Sequence, residues 1–507
     1  MIQLGTFHRQ VRRGVVTGLA SSVSSMKIGL QSTGRYLWIG FFLLGLLLCA
    51  GRPNASLVEN AGLDGRIEAM LAKSLPRLAC NLSAGSPGSI VASPQTQSPN
   101  YYFHWIRDSA LVIQALSRLL PYVTGTSNEA RIRGFIGDFV IFSGTLQHSP
   151  TPYGFGETRF NVDGSIDRST WPRPQFDGPA LRALALLDYL GLAGAALDSK
   201  AVAAAESVIR RDIDATARHY NDKGFDLWEY SRGFHFYTRM VQEGALLKGQ
   251  RYFKNRAKPE WQHAADELRS QLDHHWHAEF GTIGDDDLSG GPSTDQSGEP
   301  VDNSVAAFST SAVLAVNHAD FWGQGFDGLD GRVWNSLWKQ QGYFRDNFPF
   351  NANRRLGPGI GRGPDDDYFG GNAFFSLTAA FAEHDFRVAS RLMQQKSKLL
   401  ADKNRLSTLR HLLQADVEEG TKFALPSKEL ADAFAREGEA FLQTILDVIP
   451  PDGSMSEQFS KENGSPVSAK DLSWSYASVL TAVLAREEWR RSSVDFSEID
   501  FKCPSRP

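Results

Sequence analysis

Two glutamates stand in similar aromatic, turn-rich settings far apart in the chain. Glu229 lies in the run Phe225-Asp226-Leu227-Trp228-Glu229-Tyr230, and Glu457 lies in Gly453-Ser454-Met455-Ser456-Glu457-Gln458-Phe459. A carboxyl flanked by indole and phenol rings loses water and gains a higher pKa, whereas a carboxylate among hydroxyls and backbone donors is expected to stay ionised. Cleavage of a glycosidic bond needs one acid and one base of this kind. The pair therefore makes sugar hydrolysis the first hypothesis.

Further candidate residues lie in short loops before predicted helices. Arg107 and Asp108 end the run that starts at Pro99, and such a pair could hold two adjacent hydroxyls of a sugar, one as donor and one as acceptor. A simpler alternative stays open, in which Asp108 only caps a helix and Arg107 is its surface neighbour. Two other loops present Trp171 beside prolines and Arg362 beside three aspartates.

The composition limits the classes of partner. The chain has 42% hydrophobic and 22% charged residues with a net charge of −4, which is typical of a soluble globular protein. It offers no basic field for phosphates, so nucleic acid is not expected as a partner. Aromatic residues make up 11% of the chain. Those on loops suit a sugar, although most of the phenylalanines are better explained as core residues.

The N-terminus has the pattern of a targeting segment. Residues 1–35 carry arginines and one lysine but no acidic residue, and the apolar run 36–51 follows. This run is shorter than the roughly 20 residues that span a bilayer, so a cleaved signal peptide and a type II signal anchor both remain open. Either one places the rest of the chain on the lumenal or extracellular side. A mitochondrial presequence fits less well because the apolar block is continuous.

The cysteines and the glycosylation triplets agree with export. Cys49 lies in the apolar run, which leaves Cys80 and Cys503 either as one disulfide or as two free thiols. Acceptor triplets for N-linked glycans occur at Asn54-Ala55-Ser56, Asn81-Leu82-Ser83 and Asn463-Gly464-Ser465. These triplets can be glycosylated only in an organism that performs N-linked glycosylation.

No metal or other cofactor is expected. The triplets Asp285–Asp287 and Asp365–Asp367 lack the ligand spacing of a calcium loop and are better explained as solvated or capping residues. The histidines of the run 274–277 include direct neighbours, whose side chains diverge on a helix.

Twelve helical patterns with apolar residues at i, i+3, i+4 and i+7 cover residues 55–488. The predicted helices are Ala55–Leu78, Asp108–Tyr122, Glu129–Gln147, Asp177–Ala195, Ser199–Tyr220, Phe234–Arg251, Trp261–His277, Asn303–Phe321, Val333–Phe344, Asn372–Ala389, Pro426–Val448 and Ala469–Glu488. No linker-like change of composition interrupts them. This favours an all-α fold, a toroid of six helical hairpins, over several small bundles. We expect three segments: the basic segment with its signal peptide or anchor (1–51), the catalytic domain (52–495) and a short tail (496–507).

Several sequence blocks, in order, resemble the glucoamylase family of inverting exo-glucosidases, glycoside hydrolase family 15. The resemblance covers roughly residues 57–488. The blocks are Ile90–Pro94 with Pro99–Tyr101, Trp105–Ser109, Phe155–Gly164, Arg173–Gln175 with Asp177–Ala180, Asp226–Glu229, Arg362–Asn372, and Gly453–Phe459 with Ser468–Tyr476.

The resemblance implies an (α/α)6 barrel with Glu229 as general acid and Glu457 as the general base that activates water. It implies β-glucose release from non-reducing ends of α-1,4-linked, and more slowly α-1,6-linked, glucans such as starch, glycogen or maltooligosaccharides. Ser468 is expected to bond to the base. The residues expected to bind substrate are Tyr101, Trp105, Arg107, Asp108, Trp171, Asp226, Trp228, Arg362, Ser468 and Trp474. We expect no cofactor and a monomer.

Three positions depart from the family pattern. Tyr230 follows the acid where a second Glu is usual, Phe176 replaces a polar residue or Arg, and Phe374 replaces a frequent Trp. We therefore expect hydrolysis with an altered preference for linkage or chain length. No appended carbohydrate-binding domain is expected after the last helix. A trehalase or other α-glucosidase of the same fold, and a non-catalytic glucan-binding relative, remain as alternatives.

Overall fold

The fold is built almost entirely from helices. A computed structural model describes residues 55–193, 197–287, 289, 291–300, 308–491, 494–497 and 499–504. The α-helices of these residues are α1 (Ala55–Asn81), α2 (Ile106–Leu119), α3 (Ser127–Leu146), α4 (Asp177–Ala193), α5 (Ser199–His219), α6 (Phe236–Phe253), α7 (Pro259–Leu272), α8 (Ser311–Ala319), α9 (Gly331–Asn347), α10 (Phe375–Gln394), α11 (Leu406–Leu413), α12 (Lys428–Val448) and α13 (Ser473–Arg490).

Six of these helices form a closed inner ring. Helices α2, α4, α6, α8, α10 and α13 pack against one another in that order, and α13 returns to α2. Nearly every residue of α2 is buried, Arg118 being the exception. Ala and Leu dominate α4, which is apolar on all sides, as expected for a helix with neighbours all round.

The outer layer alternates with the inner ring along the chain. Helix α5 packs on α4, α3 packs on α5 and α2, α7 packs on α6, α9 on α8, and α12 on α10 and α13. Helix α1 meets α12 and α13 through the ion pairs Arg66–Asp447 and Asp64–Arg486. Each outer helix is followed by an inner one, except that α11 is inserted between α10 and α12. The predicted (α/α)6 barrel is confirmed.

The predicted helices differ from the structure mainly at their ends. The helix predicted to reach His277 stops at Leu272, because residues 276–277 pair with residues 282–283 as a short hairpin. The helix predicted over 303–321 is seen as α8 (Ser311–Ala319), and residues 303–307 lie outside the described residues. Helix α11 has only eight residues and was not predicted.

Short strands brace the loops between the helices, and all but β8 and β9 lie in loops that precede inner helices. They are β1 (His104–Trp105), β2 (Arg159–Phe160), β3 (Gly224–Phe225), β4 (Arg232–Gly233), β5 (Trp276–His277), β6 (Thr282–Ile283), β7 (Ala373–Phe374), β8 (Lys398–Leu400), β9 (Lys422–Ala424), β10 (Gln458–Phe459) and β11 (Pro466–Val467). Strand β10 pairs with both β7 and β11, so the loops before α10 and α13 are joined. Strands β3 and β4 flank the loop that carries Glu229.

The C-terminal segment packs on the barrel. A disulfide joins Cys80, near the end of α1, to Cys503, with a Cα–Cα distance of 4.5 Å. Phe496 is buried against Tyr122 at a ring distance of 5.2 Å. The backbone amide of Phe501 donates to Asn128 Oδ1 at 3.1 Å. Of the two alternatives for the cysteines, the structure has the disulfide.

The predicted targeting segment precedes the residues that the structure describes. The basic stretch and the apolar run 36–51 lie outside the described residues. Among the residues that are described, no helix is both long and apolar enough to cross a membrane.

Candidate active site

The predicted site residues converge in one cavity of about 470 Å³ at the N-terminal ends of the inner helices. The loops before α2, α4, α6, α10 and α13 all contribute to its walls. Helix N-termini carry partial positive charge, which favours carboxylates nearby. Ten of the twelve predicted residues line this cavity: Tyr101, Trp105, Arg107, Asp108, Trp171, Trp228, Glu229, Arg362, Glu457 and Trp474.

Glu229 is held in place by its backbone turn. Its φ of +64° is rarely adopted by residues other than glycine and stores local strain. The carboxylate of Asp226 accepts hydrogen bonds from the backbone amides of Trp228 (3.0 Å), Tyr230 (2.7 Å) and Ser231 (2.8 Å). Asp226 is therefore the residue that closes the turn, and it is not among the residues that line the cavity.

One oxygen of Glu229 receives three donors. The Trp105 indole N–H donates to Oε1 at 2.8 Å, the Gln175 amide at 3.1 Å and Arg107 Nη2 at 3.4 Å. Only 15% of this side chain is exposed. Because Oε1 is fully engaged, a proton on this carboxyl belongs on the other oxygen, Oε2.

Arg107 connects the acidic groups of this side of the cavity. It donates from Nη1 to Gln175 at 2.7 Å and to Asp177 at 3.0 Å, and its Nε lies 3.6 Å from Asp108. Burial opposes its charge, but the carboxylates of Asp177 and Asp108 outweigh burial and hold its pKa above the ordinary value. Burial raises the pKa of Asp108 to about 6, against the opposing effect of Arg107.

Glu457 lies across the cavity in a different setting. Its Oε2 accepts a short hydrogen bond from the Ser468 hydroxyl, and the Tyr101 hydroxyl lies 3.5 Å from Oε1. Burial raises the pKa of Glu457 to about 7, although Ser468 and Arg362 both favour the ionised form. We expected this carboxylate to stay ionised among polar neighbours. That expectation underestimated the loss of water from this wall of the cavity.

Aromatic rings form most of the remaining wall. Trp228 and Trp474 stack with ring centres 5.9 Å apart and planes at 20°. The guanidinium of Arg362 lies 5.6 Å from the centre of the Trp228 ring, and Arg362 also pairs with Asp366. On the other side Trp105 meets Trp171 edge to face at 5.6 Å. Flat apolar faces beside charged groups suit a ligand with C–H faces and hydroxyl rims.

Two of the predicted substrate-binding residues lie outside the lining of the cavity. Asp226 organises the Glu229 turn, and Ser468 acts on Glu457. Two residues that we did not single out belong to the site. Tyr368 lines it and bonds to the Tyr101 hydroxyl at 2.7 Å, and Gln175 positions Glu229. Gln175 stands in the block Arg173–Gln175, so the sequence contained a signal for it.

The three departures from the family pattern have different locations. Tyr230 lies at the edge of the cavity, and 65% of the residue is exposed. Phe374 lines the cavity and meets Trp228 at 5.7 Å. Phe176 stacks on His219 at 5.3 Å and is not among the lining residues. Of the three residues, Tyr230 is the one that is exposed to solvent.

The acidic triplet Asp285–Asp287 makes bonds within the protein. Asp285 accepts from the Ser311 hydroxyl at 2.7 Å, Asp286 pairs with His235 at 2.7 Å, and Asp287 pairs with Arg239 at 2.6 Å. Across the residues that the structure describes, no group of three or more His, Cys, Asp or Glu side chains is arranged to hold a metal ion.

Comparison with known proteins gives one consistent result. The model of the family described as glycosyl hydrolases family 15 matches residues 65–484. A probable glucoamylase of Schizosaccharomyces pombe is 30% identical over 423 residues, which cover 79% of this chain and 85% of that protein. The intracellular sporulation-specific glucoamylase of Saccharomyces cerevisiae is 28% identical over 80% of this chain and 79% of its own length.

Solved structures agree with this result. A glucoamylase from Saccharomycopsis fibuligera has a TM-score of 0.74 at 26% identity, covering 85% of this chain and 96% of that one. A family 15 glucoamylase from Hypocrea jecorina has a TM-score of 0.74 at 25% identity, covering 88% of this chain and 75% of that one.

Proposed function

The chain belongs to glycosyl hydrolases family 15, and from this premise we propose that it is a glucan 1,4-α-glucosidase. It removes β-D-glucose from the non-reducing ends of α-1,4-linked, and more slowly α-1,6-linked, glucans such as starch, glycogen or maltooligosaccharides. The cavity that holds Glu229 and Glu457 between aromatic walls carries this proposal. The relatives named above are glucoamylases, which favours glucan hydrolysis over trehalose hydrolysis or binding without turnover.

We propose that Glu229 is the general acid. Oε1 is occupied by donors from Trp105, Gln175 and Arg107, so Oε2 carries the proton toward the glycosidic oxygen. The three donors also stabilise the carboxylate that remains once the proton has left. The Asp226 turn fixes the direction of the side chain, because it sets the backbone on both sides of Glu229.

We propose that Glu457 is the general base. It takes a proton from a water molecule while that water attacks the anomeric carbon from the face opposite to the leaving oxygen, which inverts the configuration. Its raised pKa makes it a stronger base than an exposed carboxylate. Ser468 favours the ionised form that must be present before the water is activated.

The terminal glucose is held by charged groups and ring faces. Arg107, Asp108 and Arg362 lie in the cavity wall, where they can bond to sugar hydroxyls, and Trp228 and Trp474 can cover its apolar faces. A cavity of about 470 Å³ with charged groups in its wall accepts a chain end better than the middle of a polymer. Attack is therefore exo.

The leaving-group side is where this chain differs. Tyr230 replaces the acidic residue usual in the family and presents an exposed ring beside Glu229. We propose that the ring contacts the sugar that departs, so that the preference for linkage or chain length shifts while hydrolysis is retained. Ratios of kcat/KM for maltose, isomaltose and maltoheptaose equal to those of an ordinary glucoamylase would contradict this.

We propose that the catalytic domain is exported, either secreted or held as a type II membrane protein by residues 36–51. The basic flank before that apolar run and the Cys80–Cys503 disulfide support export, because disulfides persist in oxidising compartments. One relative is described as intracellular, and the test below therefore decides the location of this chain. Protease protection and alkaline extraction of the full chain, expressed with its own N-terminus, test the location.

We further propose that the protein acts as a monomer with three segments, 1–51, 52–495 and 496–507. Every residue assigned to the site comes from the second segment of a single chain, so no partner subunit is needed to complete the cavity. Size-exclusion chromatography with light scattering tests the oligomeric state.

A substrate panel tests the activity. The purified protein is incubated with maltotriose, maltose, isomaltose and trehalose, and glucose is measured over time. We expect rapid release from maltotriose and maltose, slower release from isomaltose and little from trehalose. Faster hydrolysis of trehalose than of maltose would assign the chain to the alternative. Binding of maltotriose without glucose release would support the non-catalytic alternative.

A further inference from the structure

The block Phe155–Gly164 of the family pattern contributes no residue to the lining of the cavity. Its strand β2 pairs with β1, and Arg159 stands directly opposite Trp105 in the register of the two strands. Side chains at directly opposite positions lie on the same face and contact each other. Arg159 is therefore placed beside the residue whose indole N–H donates to Glu229.

Three aromatic rings surround the guanidinium of Arg159. Its Cζ lies 3.6 Å from the centre of the Trp171 ring, 4.0 Å from that of Phe103 and 4.6 Å from that of Trp105. Only 3% of Arg159 is exposed. A cation over the face of a ring attracts the electrons of that ring. When the ring is an indole, this polarisation makes its N–H a stronger hydrogen-bond donor.

The guanidinium is charged and fixed in its orientation. Arg159 Nε donates to Asp167 Oδ2 at 2.8 Å, and Nη2 donates to the Ser169 hydroxyl at 3.0 Å. Burial lowers the pKa of Arg159 from its ordinary value, but Asp167 and Glu229 favour the charged form. An arginine side chain stays protonated in proteins. A permanent positive charge therefore lies against the indole that donates to Glu229.

We propose that Arg159 is a positioning residue that strengthens, through the Trp105 indole, the hydrogen bond to Glu229. This inference rests on the proposed function, in which Glu229 gives its proton to the glycosidic oxygen. As the proton leaves Oε2, negative charge develops on the carboxyl group, and a donor strengthened by a cation stabilises that charge. Arg159 itself exchanges no proton and does not contact the substrate.

Other charged and titratable groups near Glu229 lie in the wall of the cavity. Arg107 bonds to Oε1 at 3.4 Å and lines the cavity. The groups that also interact electrostatically with Glu229 and line the cavity include Tyr101, Asp108 and Glu457. Arg159 is not among the lining residues. Its substitution therefore changes the charge near Glu229 and leaves the residues that meet the substrate in place.

Arg159→Met removes the charge and keeps an unbranched side chain among the rings. Asp167 then retains its ion pair with Arg173 at 3.0 Å and its bond from the Ser169 hydroxyl at 2.8 Å, so no buried carboxylate is left without a partner. Arg159→Gln is a second uncharged variant, used if Arg159→Met does not fold. Arg159→Lys keeps the charge.

Arg332→Met is the matched control. The guanidinium of Arg332 lies 3.6 Å from the centre of the Phe326 ring and pairs with Asp330 at 2.8 Å. Arg332 is not among the residues that line the cavity. The control therefore removes the same kinds of contact at a distance from Glu229.

The first assay measures kcat on maltotriose, because displacement of wall residues would appear mainly in KM. For the uncharged variant we expect kcat to fall about three- to tenfold, as for the loss of one cation–ring interaction. Arg159→Lys and Arg332→Met are expected to stay near the parent. An unchanged kcat in the uncharged variant, or an Arg159→Lys variant that is equally slow, would overturn the proposal.

The second assay uses α-glucosyl fluoride, whose fluoride leaves with little help from an acid. If Arg159 acts on the proton donor, the uncharged variant loses much less kcat on this substrate than on maltotriose. An equal loss on both substrates would overturn the proposal, because it would show general damage to the site.

A double-mutant cycle tests the route through the indole. Trp105→Phe removes the N–H that donates to Glu229. In the Trp105→Phe background, we expect loss of the Arg159 charge to change kcat by less than about twofold, since coupled residues are not additive. A further three- to tenfold loss in that background would overturn the route.

NMR of indoles labelled with nitrogen-15 separates the inference from the proposed function. The Trp105 signal is identified by its absence in Trp105→Phe. We expect its indole proton to move to lower frequency in the uncharged Arg159 variant, as for a weaker hydrogen bond, and to stay in place in Arg332→Met. A signal that does not move would overturn the inference whatever the activity. A signal that moves in a protein that releases no glucose would support the contact and contradict the proposed hydrolysis.

Discussion

Replacement of Ser468 by alanine tests how the base is tuned. The Ser468 hydroxyl donates to Oε2 of Glu457 and lowers its pKa, opposing the effect of burial. A hydrogen bond to a charged acceptor contributes ~1.5–3 kcal/mol. Since 1.36 kcal/mol corresponds to one pH unit, its loss raises the pKa of Glu457 by roughly one to two pH units. Water entering the space left by the hydroxyl would keep the change near the lower value.

The direction in which the pH profile moves follows from the role of Glu457 as a base. A base must be ionised to accept a proton, so a higher pKa moves the acid limb of the kcat/KM profile to higher pH. On that limb we expect kcat/KM of the Ser468→Ala variant to fall about tenfold for each pH unit of displacement. At a pH well above the pKa of Glu457 in both proteins, we expect the variant and the parent to have nearly equal kcat/KM.

The assay measures kcat/KM on maltose at closely spaced pH values for the parent, Ser468→Ala and the control Ser465→Ala. Ser465 lies on the same hairpin but is exposed and makes no side-chain contact with Glu457 among the described residues. An acid limb at the same pH in parent and Ser468→Ala, or one displaced to lower pH, would refute the reasoning.

Three further predictions concern the acid, the leaving group and the disulfide. Trp105→Phe removes the indole donor to Glu229 Oε1, and kcat on maltotriose falls about tenfold, in line with ~1–2 kcal/mol for one hydrogen bond. An unchanged kcat would mean that this donor has no part in catalysis. Tyr230→Ala lowers kcat/KM for maltose and for maltoheptaose alike by about three- to tenfold, as expected for one aromatic contact with the sugar that departs from either substrate, and unchanged values would exclude that contact. Cys503→Ser lowers the free energy of unfolding by about 2–4 kcal/mol in urea titrations, while kcat stays unchanged; equal stability would show that the disulfide does not constrain the unfolded chain.

The barrel was predictable because its signal is repeated and local. Helical periodicity recurs over the whole domain, and the inner helix α4 consists largely of Ala and Leu. The ends of helices were harder to predict. Helix α7 stops where a hairpin with a left-handed glycine, Gly281, competes with it. Helix α11 is too short to produce a clear period.

The sequence pointed to ten residues that line the cavity, but not to the contacts that hold them. Residue types and their order in the chain identified Glu229 and Glu457 as candidates. Sequence patterns do not reveal that Asp226 closes a turn through three backbone amides, because those bonds exist only once the loop is folded. The bond between the Tyr101 and Tyr368 hydroxyls is of the same kind, since it joins loops before α2 and α10.

The protonation of Glu457 could not be predicted from its neighbours in the chain. Its neighbours in sequence are polar, and we expected an ionised carboxylate. Its neighbours in space include Tyr101 and the wall of the cavity, and burial there outweighs the hydrogen bond from Ser468. Solvent exposure depends on the assembled barrel and cannot be taken from the local sequence.

The central claim is that Glu229 and Glu457 act as acid and base in an inverting hydrolysis. NMR of the anomeric protons during the first minutes of maltotriose hydrolysis tests it most directly, with Glu229→Gln and Glu457→Gln variants as comparison. We predict that the parent releases β-glucose first and that each variant loses most of its activity, by roughly two to four orders of magnitude for an acid or base group. Initial release of α-glucose, or a Glu229→Gln variant as active as the parent, would contradict the account.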